Sequence, residues 1–385
     1  MTNDSMRLAY VTPYDAANVQ KWSGLGYHIA QSLQQQSISV EFMGALREDY
    51  SLLFKAKQLA YRYFRNQRYL RDREPAILQG YARQIQTRLK QSNAEVVLSP
   101  GTVSIAYLDC QQPIVFWTDA TFAAMLNFYP EFSQLCAESV RHGHAMEKAA
   151  LERCSLAIYS SEWAAKSAIN DYQISPSKVK VVPFGANIAG DRTEADIQAM
   201  VQARSTDQCH LLFLGVNWLR KGGDIALAVA TQLNQAGLKT ELTIVGCQPL
   251  IAEPLPNYVK SLGFISKSTA VGQQQFSQLL AQSHFLILPS RAECTPVVFS
   301  EANSFGVPCL SANIGGIPSI ITDDLNGKLF AKEAVADYCN YITNVFTNYQ
   351  RYQDLALTAF GEYRSRLNWS VSGQSVKKSL LSLMD

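Results

Sequence analysis

HFLILPSRAECTPVVFSEANSFGVPCLSA, residues 284–312, holds a strand, a loop, a helix and a returning strand in one run. HFLILP (284–289) is a short apolar run closed by Pro289, the pattern of a strand buried on both faces. SRAEC then forms a loop at the strand's carboxyl end, where open α/β sheets bind their ligands. Thr295-Pro296 reads as a helix start, with Thr295 as N-cap and Pro296 at the first helical position. The helix VVFSEANSFG follows, closes at Gly306 and gives way to a second apolar run, VPCLSA (307–312). Parallel strands need crossovers of this kind, so the stretch predicts a parallel sheet covered by helices.

The same alternation runs twice along the chain. The first series is RLAYVT (7–12), a helix over about 26–36, ISVEFMG (38–44), EVVLS (95–99), PIVFWT (113–118), SLAIYS (155–160) and KVKVVPFG (178–185). A polar stretch over 186–208 interrupts the rhythm. It restarts with CHLLFLGV (209–216) and continues through TELTIVG (240–246), YVKSLGF (258–264), HFLILP, VPCLSA and GKLF (327–330). The expectation is an α/β chain of two Rossmann-like, doubly wound domains, 1–190 and 191–368, facing across a cleft. LNWSVSGQSVKKSLLSLMD (367–385) adds a last amphipathic helix after Trp369, expected over 369–385 to cross back to the first domain.

With 385 residues the chain is long enough for two cores at roughly 150 residues per domain. Its 34 basic and 32 acidic residues give a formal charge of +2, so no global field recruits nucleic acid or an anionic membrane, and any anionic ligand must be met locally. No apolar run approaches the roughly 18 residues of a membrane span, and the expected location is cytoplasmic. The eight cysteines form no CxxC and the five histidines no HExxH, so neither disulfides nor a bound metal is expected.

Four constellations carry candidate chemistry. In the opening stretch, Glu293 sits in the loop and Glu301 inside the helix, so they can flank one bound molecule. The N–H groups of Val297, Val298 and Phe299 would face the crevice, where phosphate is the natural guest. Glutamates near a first turn also complement the helix dipole, and spacing alone leaves both readings open. In FLGVNWLRKGGD (213–224) a strand runs into Gly215, and Arg220 and Lys221 precede a helix start. Two such cations can clamp a diphosphate, though the loop is not GxxxxGK[ST]. In KWSGLGYHIAQSL (21–33), Gly24 and Gly26 permit close approach of backbone to a ligand or mark a plain turn. In VFWTDATF (115–122), Asp119 ends a strand and could orient a hydroxyl, although a lone Asp there is more often a helix cap.

Two further segments carry weaker signals. His142 and His144 are placed ahead of a helix AMEKAALERC (145–154), with His144 as a polar loop residue. FKAKQLAYRYFRNQRYLRDRE (54–74) interleaves seven cations, from Lys55 to Arg73, with aromatic residues. A solvated helix face with its aromatic stems packed inward is the expectation, and a weak contact with a phosphorylated acceptor or a membrane surface is the alternative.

Taken together, these segments resemble the group 1 glycosyltransferases, the retaining family 4 with the GT-B fold. The densest match is the run from Pro289 to Pro308, similar to that family's E-x7-E motif, followed by NIGGIPSII (313–321). GVNWLRKGGD, SSEWAAKSAI (160–169), KVKVVPFGAN (178–187) and SLGFIS (261–266) add to it. The resemblance implies a metal-independent, retaining hexosyltransferase with no cofactor beyond its donor, a nucleotide-diphosphate sugar, and a sugar, polyol or lipid-linked acceptor. It assigns Glu301 to the ribose hydroxyls, Glu293 to the donor sugar and Lys221 to the diphosphate. The backbone of Pro296, Val297 and Val298 would meet phosphate or sugar beside Thr295, and Phe264 and Ile265 would line the base pocket. Gly24 and Gly26 would close over the donor phosphates. Val216 stands where the family has an arginine, a role Arg220 could take, and Cys-Thr-Pro replaces the usual small residues between the glutamates. The same fold also hosts nucleotide-sugar epimerases, phosphorylases and non-catalytic binding proteins, which are the alternatives.

Overall fold

A computed structural model describes residues 6–188, 190–251 and 254–384. The chain forms two compact units, Met1–Pro183 with Trp369–Asp385, and Phe184–Asn368.

The first unit is built on β1 (Arg7–Val11), β2 (Ser39–Met43), β3 (Val96–Ser99), β4 (Ile114–Thr118), β5 (Leu156–Tyr159) and β6 (Val179–Val181). All pair in parallel, in the order β2-β1-β3-β4-β5-β6. Every residue of β3, β4 and β5 is buried, as helices on both faces of a parallel sheet require. The crossovers are α1 (Leu25–Gln35), α2 (Ser51–Arg65), α3 (Pro75–Leu89), α4 (Phe122–Met125), α5 (Ala137–Arg153) and α6 (Glu162–Tyr172). The expected strand at 178–185 is cut to three residues, since Pro183 has no N–H to donate to a ladder.

The C-terminal helix, Trp369–Leu381, lies along α1 in this same unit. Gly373 comes so close that a Cβ there would stand 2.7 Å from the carbonyl of Ser32. Lys377 Nζ donates to Gln36 O at 2.7 Å. The Trp369 ring stacks on His28 and meets Trp117 edge-on, with centroids 6.0 and 5.7 Å apart.

The placement expected of the two histidines fails. His142 and His144 lie inside α5, not ahead of it. At Gly143 between them the Phe122 ring fills the space a Cβ would need, at 2.1 Å, so the glycine serves packing inside the helix. His144 is no loop residue: its Nδ1 lies 3.0 Å from the Tyr172 hydroxyl and its ring packs edge-on against Phe122. Burial holds its pKa below the ordinary histidine value.

The second unit repeats the architecture with β7 (Cys209–Leu214), β8 (Thr240–Val245), β9 (Val259–Ser261), β10 (Phe285–Leu288), β11 (Cys309–Ala312) and β12 (Gly327–Phe330). They are parallel in the order β12-β11-β10-β7-β8-β9. The polar stretch over 186–208 is not a mere interruption. It folds as α7 (Glu194–Gln202), started by a reciprocal cap in which Thr193 Oγ1 accepts from Asp196 N and Asp196 Oδ2 accepts from Thr193 N. Next come α8 (Gly223–Gln235), α9 (Ala270–Gln282), α10 (Val297–Asn303), α11 (Val335–Thr347) and α12 (Tyr349–Arg366). Among the described residues no helix is long and apolar enough to cross a membrane.

Candidate functional site

In the second unit the chain leaves β7 for β8 and β9 on one side, then returns to lay β10 on the other. That reversal opens a crevice between the loops after β7 and β10, the place where such sheets bind ligands. The two loops are locked together. Gly222 has φ +75°, and a Cβ there would fall 2.1 Å from Pro289 O, so no other residue fits. Arg291 N donates to Arg220 O at 2.8 Å. The Arg291 guanidinium forks onto both oxygens of Asp224 at 2.8 Å and also reaches Glu333. Hydrogen bonds from Arg291 hold the Asp224 carboxyl below the usual carboxylate range.

This frame brings three expected residues to one point. Arg220 Nη1 and Lys221 Nζ each lie 2.5 Å from the same oxygen, Glu293 Oε1. Arg220 Nη1 also donates to Ala292 O at 2.8 Å. Glu293 is 5% exposed, so its charge is removed from water and depends on these partners. Gly215 lets the lysine lie flat, since a Cβ there would stand 2.9 Å from Lys221 Cγ. Behind Glu293, its carbonyl accepts from Gly316 N at 3.1 Å, tying in the downstream glycine turn. Val216 is exposed.

The helix that carries Glu301 starts one residue later than expected. Pro296, at φ −79° and ψ 102°, is the N-cap and Val297 is the first helical residue, so Thr295 stands one position outside. Proline fixes φ but not ψ, so it caps here instead of opening the helix. Phe299 N donates to Pro296 O at 3.2 Å, so its N–H is used locally and is not offered to a ligand.

Glu301 is 1% exposed, and its Oε1 is in contact with Lys267 Nζ. Sequence reading missed Lys267. It lies in the same loop after β9 as the expected Phe264 and Ile265, and that loop delivers a cation to Glu301 while Phe264 projects into solvent. Beside it a cavity of about 250 Å³ is lined by Lys267, Phe276, Asn187 and Gln273. The far end of α10 is held rigidly. Asn326 Nδ2 donates to Asn303 Oδ1 at 2.8 Å, and buried Arg204 donates to the carbonyls of Phe305 and Gly306 at 2.7 and 2.8 Å.

The remaining expected residues, Gly24, Gly26 and Asp119, belong to the first unit. Its sheet reverses between β1 and β3, and a cavity of about 380 Å³ opens at the carboxyl ends of β1, β3 and β4. Tyr14, Trp22, Arg73, Thr102, Asp119 and Glu147 are among its walls. Gly24, at φ +80°, is the N-cap of α1 and follows Trp22 and Ser23, both left-handed. Gly26 leaves room for Tyr14, whose hydroxyl would lie 2.5 Å from a Cβ at that position. Burial and the nearby Asp119 push the Tyr14 phenol up to about 12. Burial also pushes the Glu147 carboxyl up to about 7, against a 2.8 Å hydrogen bond from Thr102 Oγ1 and the charge of Arg73. Glu147 was not foreseen as a wall of this cavity, since its partner Thr102 lies far away in sequence, and neither was Arg73.

Glu74, Glu138 and His142 converge closely enough to hold a cation, with ligand atoms within 4.8 Å of one another. Lys57 already supplies it, with Nζ 2.6 Å from Glu138 and 3.3 Å from Glu74.

Residues 196–360 match the family model described as Glycosyl transferases group 1. A D-inositol 3-phosphate glycosyltransferase from Nocardioides sp. is 24% identical over 224 residues, covering 52% of this chain and 48% of that protein. The chain thus spans about half the length of the curated relatives it matches. Among solved structures, the sucrose-phosphate synthase of Thermosynechococcus elongatus superposes with a TM-score of 0.70 at 14% identity, over 98% of this chain and 99% of that one. Anabaena Alr3699/HepE, in complex with UDP and glucose, gives 0.64 at 18% identity over 98% and 100%. At that identity the likeness establishes the fold, two parallel six-stranded α/β units of the GT-B type. Residues 196–360, most of the second unit, are thus similar to the group 1 glycosyl transferases, and the chain has a GT-B fold.

Proposed function

We propose that the protein transfers a hexose from a nucleotide-diphosphate sugar to an acceptor hydroxyl, with retention at the anomeric carbon and without a bound metal. The observation that carries this reading is the pair of cations, Arg220 and Lys221, on one Glu293 oxygen at the sheet reversal. Two positive charges against one carboxylate leave an excess of one, placed where a diphosphate would arrive. Negative charge grows on the departing diphosphate, and fixed donors there stabilise the transition state more than the ground state. Lys221 offers a point charge and Arg220 a planar fork, while Glu293 keeps them aligned and lies against the sugar. Glu301, positioned by Lys267, accepts from the ribose diol.

On this reading the cavity of the first unit takes the acceptor, a sugar, a polyol or the sugar end of a lipid-linked molecule. Asp119 and Glu147 supply oxygen partners for its hydroxyls. All eight cysteines are free, which suits a reducing cytoplasm as the working compartment.

A thermal-shift panel over UDP, GDP, ADP and their sugars tests the donor half, with UDP first because the HepE structure holds it. At least one nucleotide at a hundredfold excess over its Kd stabilises the fold by about 2.7 kcal/mol. Lys221→Ala and Glu301→Ala each remove most of that shift. A flat response to the whole panel contradicts the reading. Incubating donor with and without sugar and polyol acceptors tests the reaction, since donor that changes configuration with no acceptor present indicates an epimerase.

A further inference from the structure

Helix α2 turns the wrong face outward for a helix of a water-soluble domain. Its inner side is firmly held: Phe54 is buried, Tyr61 stacks on Tyr69 at 5.5 Å, and Lys57 pairs with Glu74 and Glu138. At 100° per residue the opposite side therefore carries Leu52, Leu59 and Tyr63, with Leu53 and Phe64 beside them. All five are exposed, Leu52 by 80% and Phe64 by 88%. The packing expected of the aromatic stems holds for Tyr61 and Tyr69 but not for Tyr63 and Phe64. One contiguous apolar face of this kind marks an interaction site.

Charge decides what covers it. From Tyr50 to Arg71 there is no acidic residue. Of the cations there, Lys57 and Arg71 are spent on Glu74, Glu138 and Glu48. Lys55, Arg62, Arg65 and Arg68 make no ion pair among the described residues. Lys55 and Arg62 run along one border of the apolar stripe. At the end of the helix a hollow of about 550 Å³ is lined by Arg62 and Arg68, with Leu59 and Glu131 among its other walls. A second copy of this face would bring like charges together, and a protein partner would need a long acidic rim around a greasy ridge. An anionic bilayer offers negative headgroups at the level of the cations and acyl chains beneath the leucines and aromatics.

We propose that α2 lies in the surface of an anionic membrane, its leucine and aromatic face sunk among the acyl chains and its free cations on lipid phosphates. The full chain is thereby a peripheral membrane protein. The inference rests on α2 and not on the transfer reading, so either can fail alone.

Co-sedimentation of the full chain with sucrose-loaded vesicles tests it, using phosphatidylcholine alone and with about 30% phosphatidylglycerol. Binding to the mixed vesicles exceeds binding to phosphatidylcholine at least about tenfold, falls about fivefold for Arg62→Glu, and falls again in high salt. The double substitution Leu59→Glu with Phe64→Glu abolishes it while keeping the thermal midpoint and any nucleotide-induced shift. Equal, weak sedimentation with both vesicle types overturns the proposal, as does a double variant that still binds like the wild type. A concentration-dependent dimer that the double variant dissolves would give the face to a second copy and would also overturn it.

Discussion

Glu293 takes two cations on one oxygen, so replacing it removes a carboxylate and also leaves two like charges side by side. Glu293→Ala is expected to lower stability by about 2–3 kcal/mol, since an ion pair with its carboxylate largely buried loses one partner. Nucleoside diphosphate binding should survive within about tenfold, because Lys221 and Arg220 remain and lose a competitor, while transfer falls by at least about a hundredfold. Calorimetric titration beside a turnover assay separates the two effects. Glu147 gives a second residue-level expectation. Its carboxyl is raised from an ordinary 4.5 to about 7, so the folded state holds a proton that the unfolded chain releases earlier. That contribution is complete below pH 4.5 and is lost as pH rises toward 7, at up to about 1.4 kcal/mol per pH unit. Relative to Glu147→Gln, the wild type should therefore weaken across that window in denaturant titrations; parallel curves for the two proteins would contradict the assignment. Arg220, Lys221 and Glu293 could be singled out in the sequence since each lies in a loop at a strand end, and Glu301 since it lies in the helix that follows. Lys267, Glu147 and Arg204 could not, because their partners stand far off in the chain.

At the scale of elements, the loop between β7 and α8 depends on one backbone conformation. Gly222→Ala must hold φ +75° and clear Pro289 O, which costs at least about 2 kcal/mol and lowers the melting point by about 5 °C or more. The same variant should lose nucleotide binding, since the displaced loop carries Lys221. Asp196→Ala, by contrast, opens the cap of α7 and costs about 1 kcal/mol, with nucleotide binding intact. The strands and the main crossovers were readable from period and punctuation. Two failures are of this scale: the histidines expected ahead of a helix lie inside α5, where Gly143 packs against a phenyl ring, and the polar run around Thr193 is made helix by a reciprocal cap. The offset at Pro296 is of the same kind, as a fixed φ says nothing of ψ.

For the whole molecule, the twofold alternation of strand and helix was the strongest sequence signal, and both sheets place their candidate sites at the reversal of strand order. The last helix belongs to the first unit and packs there on α1, although the chain reaches it from the second. Ending the chain at Asn368 strips Trp369, Val376 and Leu380 from α1 and Trp117, a loss of roughly 5 kcal/mol at 1.5–3 kcal/mol per buried side chain. The truncated protein should show an early unfolding transition for the first unit and keep the nucleotide-induced shift of the second, as seen by calorimetry. The central claim is that the second unit holds a nucleotide-diphosphate sugar at its sheet reversal. A crystal structure with the nucleotide sugar that gives the largest thermal shift tests it most directly. The account predicts diphosphate oxygens within hydrogen-bond distance of Lys221 and Arg220 and the ribose hydroxyls on Glu301. A nucleotide bound elsewhere, or one whose diphosphate touches neither cation, would contradict it.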